Sequence, residues 1–460
     1  MKTNFLNLKA CLASVLVAVL MVSCSKSADV LESIPQSSRF VLSLNPLTIA
    51  KKVDQKGATI KGMSAEDAKL MEGFLTGDYG LDPEQLAVFE YDGTVYAVTS
   101  VTDEDKLMAV LEGEKSVVNG VTVFNVNGNS IAVKDGLCWY TDGSRDIAKD
   151  IDFFTSIDPS KAITAKKKFK DNIKGGDFGG YFNVGAVYSD KRFMNNMPAN
   201  ISSIPYYEQL KSSELYYQGE GSKDDFKITA HLYDAEGNNL LKKINMPEFD
   251  TDLLKFIDAE SSFVYAVAMD EIYVSYLKDM AVSSLFRNEE KAMVKTAFNN
   301  IEGNIVMGVK INSLVSLRDI QISAAAKLKD GAEKNLKVLL DKEYKADQHG
   351  EYTISDNLAG VLVRLGFKDD CVYVTNNVLP KENFKDSKAS MFFKDASATM
   401  FINCMDGSTF STAGTAYLGK PVAGYIYAKS DDEKAELVVH VEHNDMDNIY
   451  AYFVKILGSI

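Results

Sequence analysis

"LAVFEYDGTVYAVTSV", residues 86–101, decides the fold. Two runs rich in Val, Tyr, Phe and Thr flank Asp92-Gly93. Such residues suit a pleated, half-buried strand. Asp-Gly between them supplies the positive φ angles that a two-residue hairpin turn requires, and so tight a turn forces antiparallel pairing. Thr102-Asp103-Glu104-Asp105 then starts a helix, with Thr102 as its cap, the acids at its positive end, and Leu107, Val110 and Leu111 on one apolar face. In "GVTVFNVNGNSIAVKDGLCWYTDG" (120–143), Asn127-Gly128 and Asp135-Gly136 punctuate three short strands. Helices are predicted between about 160 and 174, around 206–212, near 275–302 with Met293, Ala297, Phe298 and Ile301 as an apolar stripe, and near 327–342. The class is α+β, with antiparallel sheets packed by helices on one face.

Working outward, the chain rhymes with itself. "SSRFVLSLN" (37–45) answers "ESSFVYAVAMD" (260–270), matching Phe40 to Phe263. "VKDGLCWYTDG" (133–143) answers "FKDDCVYVTNN" (367–377), read here as Cys138 with Cys371 and Tyr140 with Tyr373. "GGYFNVG" (179–185) answers "TMFINCM" (399–405), matching Asn183 to Asn403, and "SKDDFKITAHLYD" (222–234) answers "SDDEKAELVVHVEH" (430–443), matching His231 to His440. Four matches in one order, at offsets between about 209 and 234, are the pattern of two homologous modules from an internal duplication, expected at 37–245 and 246–460. The period is far longer than that of a solenoid repeat.

The amino terminus reads as an export signal. Lys2 and Lys9 flank an uncharged run, Ala10 to Val22. That run is shorter than the roughly 20 apolar residues a membrane span needs and fits the core of a secretory signal. It ends Leu20-Met21-Val22-Ser23-Cys24, which resembles the lipobox of bacterial lipoproteins. The resemblance implies a signal peptide over 1–23, lipidation of Cys24, and an anchor and linker over 24–36. Two or more acyl chains hold a protein stably to a membrane. No aspartate adjoins the cysteine in Ser25-Lys26-Ser27-Ala28-Asp29; by analogy with lipoprotein sorting this favours the outer membrane, and the lack of an acidic cluster favours its periplasmic side. No later stretch approaches 18 uninterrupted apolar residues, so the body is expected to be soluble.

Composition narrows the partners. Removing 23 of 460 residues leaves 437, room for two or more domains. The formal charge is −14, and losing Lys2 and Lys9 makes it −16. Such a chain is not expected to bind nucleic acid, and anionic membrane repels it, so the lipid must anchor it. Cys138, Cys371 and Cys404 remain in the body, odd in number and widely spaced. They read as buried thiols, with one bridge as the alternative.

No catalytic constellation stands out, and none is assigned. His440 and His443 are three apart in "AELVVHVEHND", a strand pattern that sends them to opposite faces, so no metal site is assigned. "GTAYLGKP" (414–421) follows phosphate-loop spacing to Gly419-Lys420 but has Pro421 where a hydroxyl should hold magnesium, and reads as a turn before a strand. Gly143-Ser144 and Gly407-Ser408 are ordinary turns, not nucleophile elbows. "HNDMDN" (443–448) lacks the glycine of an EF-type loop, and Asp224/Asp225 and Asp431/Asp432 read as solvated turns. "AKKKFKDNIK" (165–174) reads as a helix with Phe169 and Ile173 inward and its lysines in water, with contact to lipid phosphates as the alternative. Tyr206, Tyr207, Tyr216, Tyr217, Tyr425 and Tyr427 with the lone Trp139 read as strand formers, with an aromatic glycan surface as the alternative. No cofactor is expected.

The lipobox, the opening "IPQSSRFVLSLNP" (34–46) and the duplicated body together resemble an uncharacterised family of Bacteroidetes lipoproteins, a domain of unknown function. The resemblance covers essentially the whole mature chain and carries over only one functional residue, Cys24. The expectation is a non-catalytic, membrane-anchored envelope protein that binds an envelope protein, glycan or lipid. The alternative is an enzyme acting on envelope glycans through unassigned carboxylates. Two facing acids in a deep pocket point to the enzyme. A shallow, apolar, uncharged groove points to the binder.

Overall fold

A computed structural model of the chain describes residues 29–53, 72–111, 113–126, 129–142, 146–173, 176–189, 204–284, 288–313, 319–355, 362–405, 407–418, 423–442, 446 and 448–457. They fall into two compact units. One takes the described residues within Met1–Asn196, Leu210–Asn238 and Asn444–Ile460; the other takes those within Met197–Gln209 and Asn239–His443. The fold is α+β, and its strands pair antiparallel throughout the described ladders. No helix among the described residues is long and apolar enough to cross a membrane.

The first unit runs β1 (Phe40–Leu44), α1 (Pro46–Val53), β2 (Leu81–Tyr91), β3 (Thr94–Val101), α2 (Glu104–Val110), β4 (Glu114–Val118), β5 (Val121–Val126), β6 (Asn129–Lys134), β7 (Leu137–Thr141), α3 (Ile147–Thr155), α4 (Phe169–Ile173), β8 (Phe178–Asn183), α5 (Val184–Ser189), β9 (Glu214–Gly221) and β10 (Asp225–Tyr233). Its sheet order is β4-β5-β6-β7-β3-β2-β1-β8-β9-β10. The second unit holds β11 (Phe263–Ala268), α6 (Glu271–Ser284), α7 (Asn288–Asn300), β12 (Ile301–Ile311), β13 (Ile320–Leu328), α8 (Ala332–Leu340), β14 (Tyr352–Ser355), β15 (Leu362–Lys368), β16 (Cys371–Thr375), β17 (Ala398–Cys404), α9 (Thr409–Leu418), β18 (Gly424–Ser430) and β19 (Ala435–Val441). Its order is β14-β15-β16-β13-β12-β11-β17-β18-β19. The last helix, α10 (Ile449–Leu457), packs on α1 and β10 in the first unit.

The hairpin chemistry holds as the dipeptides require. Asp92 and Gly93 have φ of 49° and 84°, and Asp135 and Gly136 have 51° and 73°. Asp369 and Asp370 turn the β15–β16 hairpin at 52° and 58°, the left-handed region that only short polar residues and glycine enter at modest cost. Asn127-Gly128 and Gly143-Ser144 lie outside the described residues.

Several local expectations need correction. The cap of α2 is Asp103, not Thr102; its carboxylate accepts from the Lys106 N–H. The helices expected between about 160 and 174 are 3-10 turns at Pro159–Lys161 and Ile163–Ala165 and the short α4, with Pro159 at the first position of the first turn, where its missing N–H costs nothing. Residues 206–212 hold a single turn, Tyr207–Leu210. Ala297 and Phe298 pack inward, but Ile301 opens β12. Lys327 and Leu328 close β13, and α8 begins only after Gly331, at φ 72°. Residues 414–418 finish α9 instead of forming a turn.

Register departs from two sequence matches. His231, reached from Val41 through Tyr181 and Tyr216, aligns with Val438, reached from Val264 through Phe401 and Tyr427, and not with His440. Trp139 pairs with Val98, Val98 with Ala87, and Ala87 with Ser43. Tyr373 pairs with Ala325, Ala325 with Val306, and Val306 with Ala266. With Phe40 set at the place of Phe263, as the sequence suggests, these rows align Ser43 with Ala266. They put Trp139, not Tyr140, at the place of Tyr373, and Leu137, not Cys138, at the place of Cys371. Matching cysteine to cysteine slips the strand by one residue, and one residue turns every side chain to the other face. Cys138 and Cys371 accordingly lie in different layers of their units. All three body cysteines are free thiols.

Each unit has an aromatic core on one face of its sheet. Phe154 sits 5.4 Å from both Phe89 and Trp139 in the first. Phe256 stacks on Tyr373 at 5.7 Å, beside Phe384, Phe393 and Phe401, in the second.

Candidate functional site

A sheet with one face on the core and one toward water normally alternates apolar with polar. The second unit alternates buried with partly exposed residues instead, and its partly exposed side is apolar. Along β11, Val264 and Ala266 are buried while Tyr265 is 39% exposed. Along β12, Val306 is buried and Met307 is 36% exposed. Ile322 of β13 and Val374 of β16 are 45% and 36% exposed.

These open residues form rows. Val374 pairs with Ala324, Ala324 with Met307, and Met307 with Tyr265. Two residues along, Ile322 pairs with Val309 and Val309 with Phe263, followed by Ile402 and Ile426. By the alternation of a strand, this face of the described strands presents no Asp, Glu, Lys, Arg or His from Phe263 to Val267, Ile305 to Ile311, Ile320 to Leu328, or Ala398 to Val441 within β17–β19. On the row at one end, Val267, Ile305 and Ala326 pack under Val274 of α6, Ala297 and Phe298 of α7 and Leu336 of α8. In the next rows Tyr265, Met307, Ile322 and Val374 are exposed, while Phe263, Val309, Ala324, Ile402 and Ile426 are half-buried, and α9 touches β17. Burial raises the Tyr265 phenol above its ordinary range.

The polar clusters lie elsewhere and are occupied. Asp177, 4% exposed, accepts from Lys52 Nζ at 2.6 and 2.7 Å, from the Gly221 N–H at 2.8 Å and from the Tyr450 hydroxyl at 3.0 Å. That network ties α1 and α10 to the end of β9. Glu214 accepts from Tyr216 at 2.6 Å, from Tyr181 at 3.1 Å and from Lys166. Burial first, and then the Glu214 carboxylate, push both phenols far up. Tyr96 donates to Asp150 at 2.6 Å. Each acid serves as an anchor for hydroxyls and lysines. An open groove of about 490 Å³ at the start of α8 is lined by Lys329, Lys334 and Lys337 among others, and Lys337 pairs with Glu333.

The residues singled out in the sequence disperse accordingly. Cys24, Gly419-Lys420-Pro421 and His443 lie outside the described residues. His231 stands opposite Tyr216, and His440 opposite Tyr425, on which it stacks at 4.6 Å. Among the described residues no group of three His, Cys, Asp or Glu side chains could hold a metal ion. In the basic run Phe169 is buried and Ile173 packs on the core, but Lys166 pairs with Glu214 and Lys168 lies 5.0 Å over the Tyr233 ring. Two of its lysines are therefore engaged by protein instead of standing free in water. Asp431 accepts from the Glu433 and Lys434 N–H groups and shapes its turn. Trp139 is fully buried and offers no platform. The open face itself escaped sequence reading, because strands such as "IVMGVKI" do not tell which apolar side remains uncovered.

No protein family and no curated protein matches the chain. Among solved structures, two crystal forms of a protein called TP0453 are similar over part of it. Form III has a TM-score of 0.27 at 10% identity, over 46% of this chain and 83% of that one. Form I has 0.28 at 10%, over 46% and 80%.

Proposed function

We propose that this chain is a non-catalytic envelope lipoprotein, held by lipid on Cys24 at the outer membrane facing the periplasm. Its body consists of two modules from an internal duplication, and it binds an envelope partner on the open face of its second unit. The observation that carries the binding reading is that face: apolar and uncharged along the described strands, and exposed at Tyr265, Met307, Ile322 and Val374, where an antiparallel sheet turned to water would be polar.

Duplication is supported by backbone details beyond strand order. The Ile34 carbonyl accepts from Ile163 N–H at 2.7 Å, and the Ile257 carbonyl from Phe384 N–H at 2.7 Å, each just before the first strand of its unit. Asn183 N–H donates to Arg39 and Asn403 N–H to Ser262, at 2.7 and 2.9 Å. Both β2 and β12 shift register near their starts, at Leu81/Leu86 and Ile301/Ile305.

The test has two parts. Cys24→Ala should abolish labelling by a palmitate analogue and move the chain from the membrane to the soluble fraction. A photo-reactive amino acid placed at position 307 should trap an envelope component in cells, where the same group at position 391 traps none. Membrane retention without label sinks the anchor, and equal trapping from both positions sinks the binding face.

A further inference from the structure

We infer that the open face of the second unit holds a single hydrocarbon chain of a lipid; this rests on that face being the binding site. The occupant follows from size, polarity and shape. Val374, Ala324, Met307 and Tyr265 span three strand spacings, about 14 Å. Continuing to Ile426 adds two more, about 10 Å, and adjacent rows on one face are about 7 Å apart. The track is long and narrow, a few hundred Å² at the most. A stable protein interface takes about 800 Å² from each partner, so neither a second copy nor a folded protein finds enough surface here.

Polarity removes two other occupants. A glycan needs hydrogen-bond partners for its hydroxyls, and unpartnered polar groups are costly to bury; this face has no charged side chain to offer. A peptide strand needs a free sheet edge, yet β11, β12, β13 and β16 are each paired on both sides. A saturated chain needs neither. Methionine and small alanines form an adaptable trough for it.

The second argument is internal. At the equivalent register of the first unit, Val88 takes the place of Met307 and is 2% exposed, and Ala97 takes the place of Ala324 and is 7% exposed. This register is therefore buried in one unit and partly exposed in the other.

The experiment uses the full chain carrying Cys24→Ala, so that its own anchor does not compete, and a 16-carbon fatty acid bearing a diazirine. Photolysis should label peptides of β11, β12, β13 and β16. Met307→Lys should cut labelling at least tenfold, and so should Ile322→Asn if Met307→Lys melts early by circular dichroism. Met391→Lys, at a 63% exposed position off this face, should leave labelling unchanged. Labelling that survives Met307→Lys and Ile322→Asn, or that spreads over the surface, overturns the proposal. A dimer in sedimentation that Met307→Lys dissolves would assign the face to a second copy. If the fatty acid fails to label while position 307 still traps a protein in cells, the binding face stands and the hydrocarbon occupant falls. If both fail, both fall.

Discussion

The nine described strands of the second unit follow the order of nine of the first unit's ten, β4 having no described counterpart, and the two sheets then use their faces differently. In the first, Leu86 and Val88 are nearly inaccessible, and the face they share is closed. In the second, Met307, Ile322 and Val374 stand open at the places of Val88, Val95 and Tyr140. The opposite faces differ too. Where the first unit sets Glu214 among Tyr181, Tyr216 and Lys166, the second stacks Phe392 on Phe401 and Tyr427, at 5.8 and 4.6 Å. Backbone frame is thus held by turns and pairing, while the use of each face is decided by residues that pairing does not constrain. A fold carries no function by itself; here two sheets of like strand order differ in which residues they leave exposed.

The sharpest way to break this comparison is to ask whether the units stand independently. Trp139 is the sole tryptophan and is fully buried in the first unit, so its fluorescence reports that unit alone. Phe154→Ala removes a fully buried ring between Phe89 and Trp139 and should cost about 3–5 kcal/mol, seen as a lower urea midpoint of the tryptophan signal. Phe401→Ala, buried in the second core, should leave that midpoint in place while shifting the ellipticity. Equal movement of the tryptophan midpoint by both variants would mean that the units melt as one.

Next comes the network that only the first unit has. Asp177→Ala strands the Tyr450 hydroxyl, the Gly221 N–H and Lys52. Removing one partner of a fully buried pair costs about 3–5 kcal/mol; Lys52 is 30% exposed, so about 2 kcal/mol is expected. Hydrogen exchange should rise first in α10, whose Tyr450 and Ile449 are held at this corner. Unchanged protection of 449–457 would show that α10 stays by apolar contacts alone.

A pair of opposite-signed changes sharpens the comparison of turns. Gly136 and Asp370 occupy the same place in their hairpins, at φ 73° and 58°. Gly136→Asp should destabilise the first unit by about 1 kcal/mol, and Asp370→Gly should stabilise the second by somewhat less, since Asp tolerates the left-handed region better than most residues. Two losses, measured by urea melts of each variant, would show that the turns are not equivalent.

Legibility followed physical locality. Asp92-Gly93 and Asp135-Gly136 announced hairpins because a two-residue turn is decided by its own residues. Phe40 and Phe263 each lie in the strand flanked by the longest strand of their unit, and Asn183 N–H and Asn403 N–H each donate to a residue just before that strand. Cys138 misled because an identical residue one place out of register outweighed Trp139 against Tyr373, which look unlike but fill the same core position. The short turns at 159–165 were hidden by a lysine-rich pattern that helix propensity favours. The open face was illegible for a different reason: coverage depends on where α6, α7 and α8 stop, and no strand residue encodes that. Packing also divides the chain differently from its period, since residues 444–460 belong with the first unit and 239–245 with the second.

The smallest effect separates the units by pH. Burial pushes the Cys138 thiol up to about 12, from 9.0 in an exposed chain. The folded state keeps its proton where the unfolded state loses it. The stabilisation this gives is therefore full below pH 9 and is lost as pH climbs toward 12. Between pH 8 and 9 the loss is only a few tenths of a kcal/mol, because the unfolded thiol is about half ionised at the upper limit. That window lies below the ordinary phenol range, so Tyr181, Tyr216 and Tyr450, all raised further by burial, stay neutral in the folded state and add less than about 0.1 kcal/mol each. The tryptophan-detected midpoint should fall slightly over this unit of pH, and Cys138→Ala should flatten the fall while lowering the midpoint at every pH by its lost packing. A slope that survives the substitution would assign the alkaline sensitivity to another group in the first unit. It would also remove Cys138 as the marker by which the two units' buried thiols, sitting in different layers of the same frame, can be told apart.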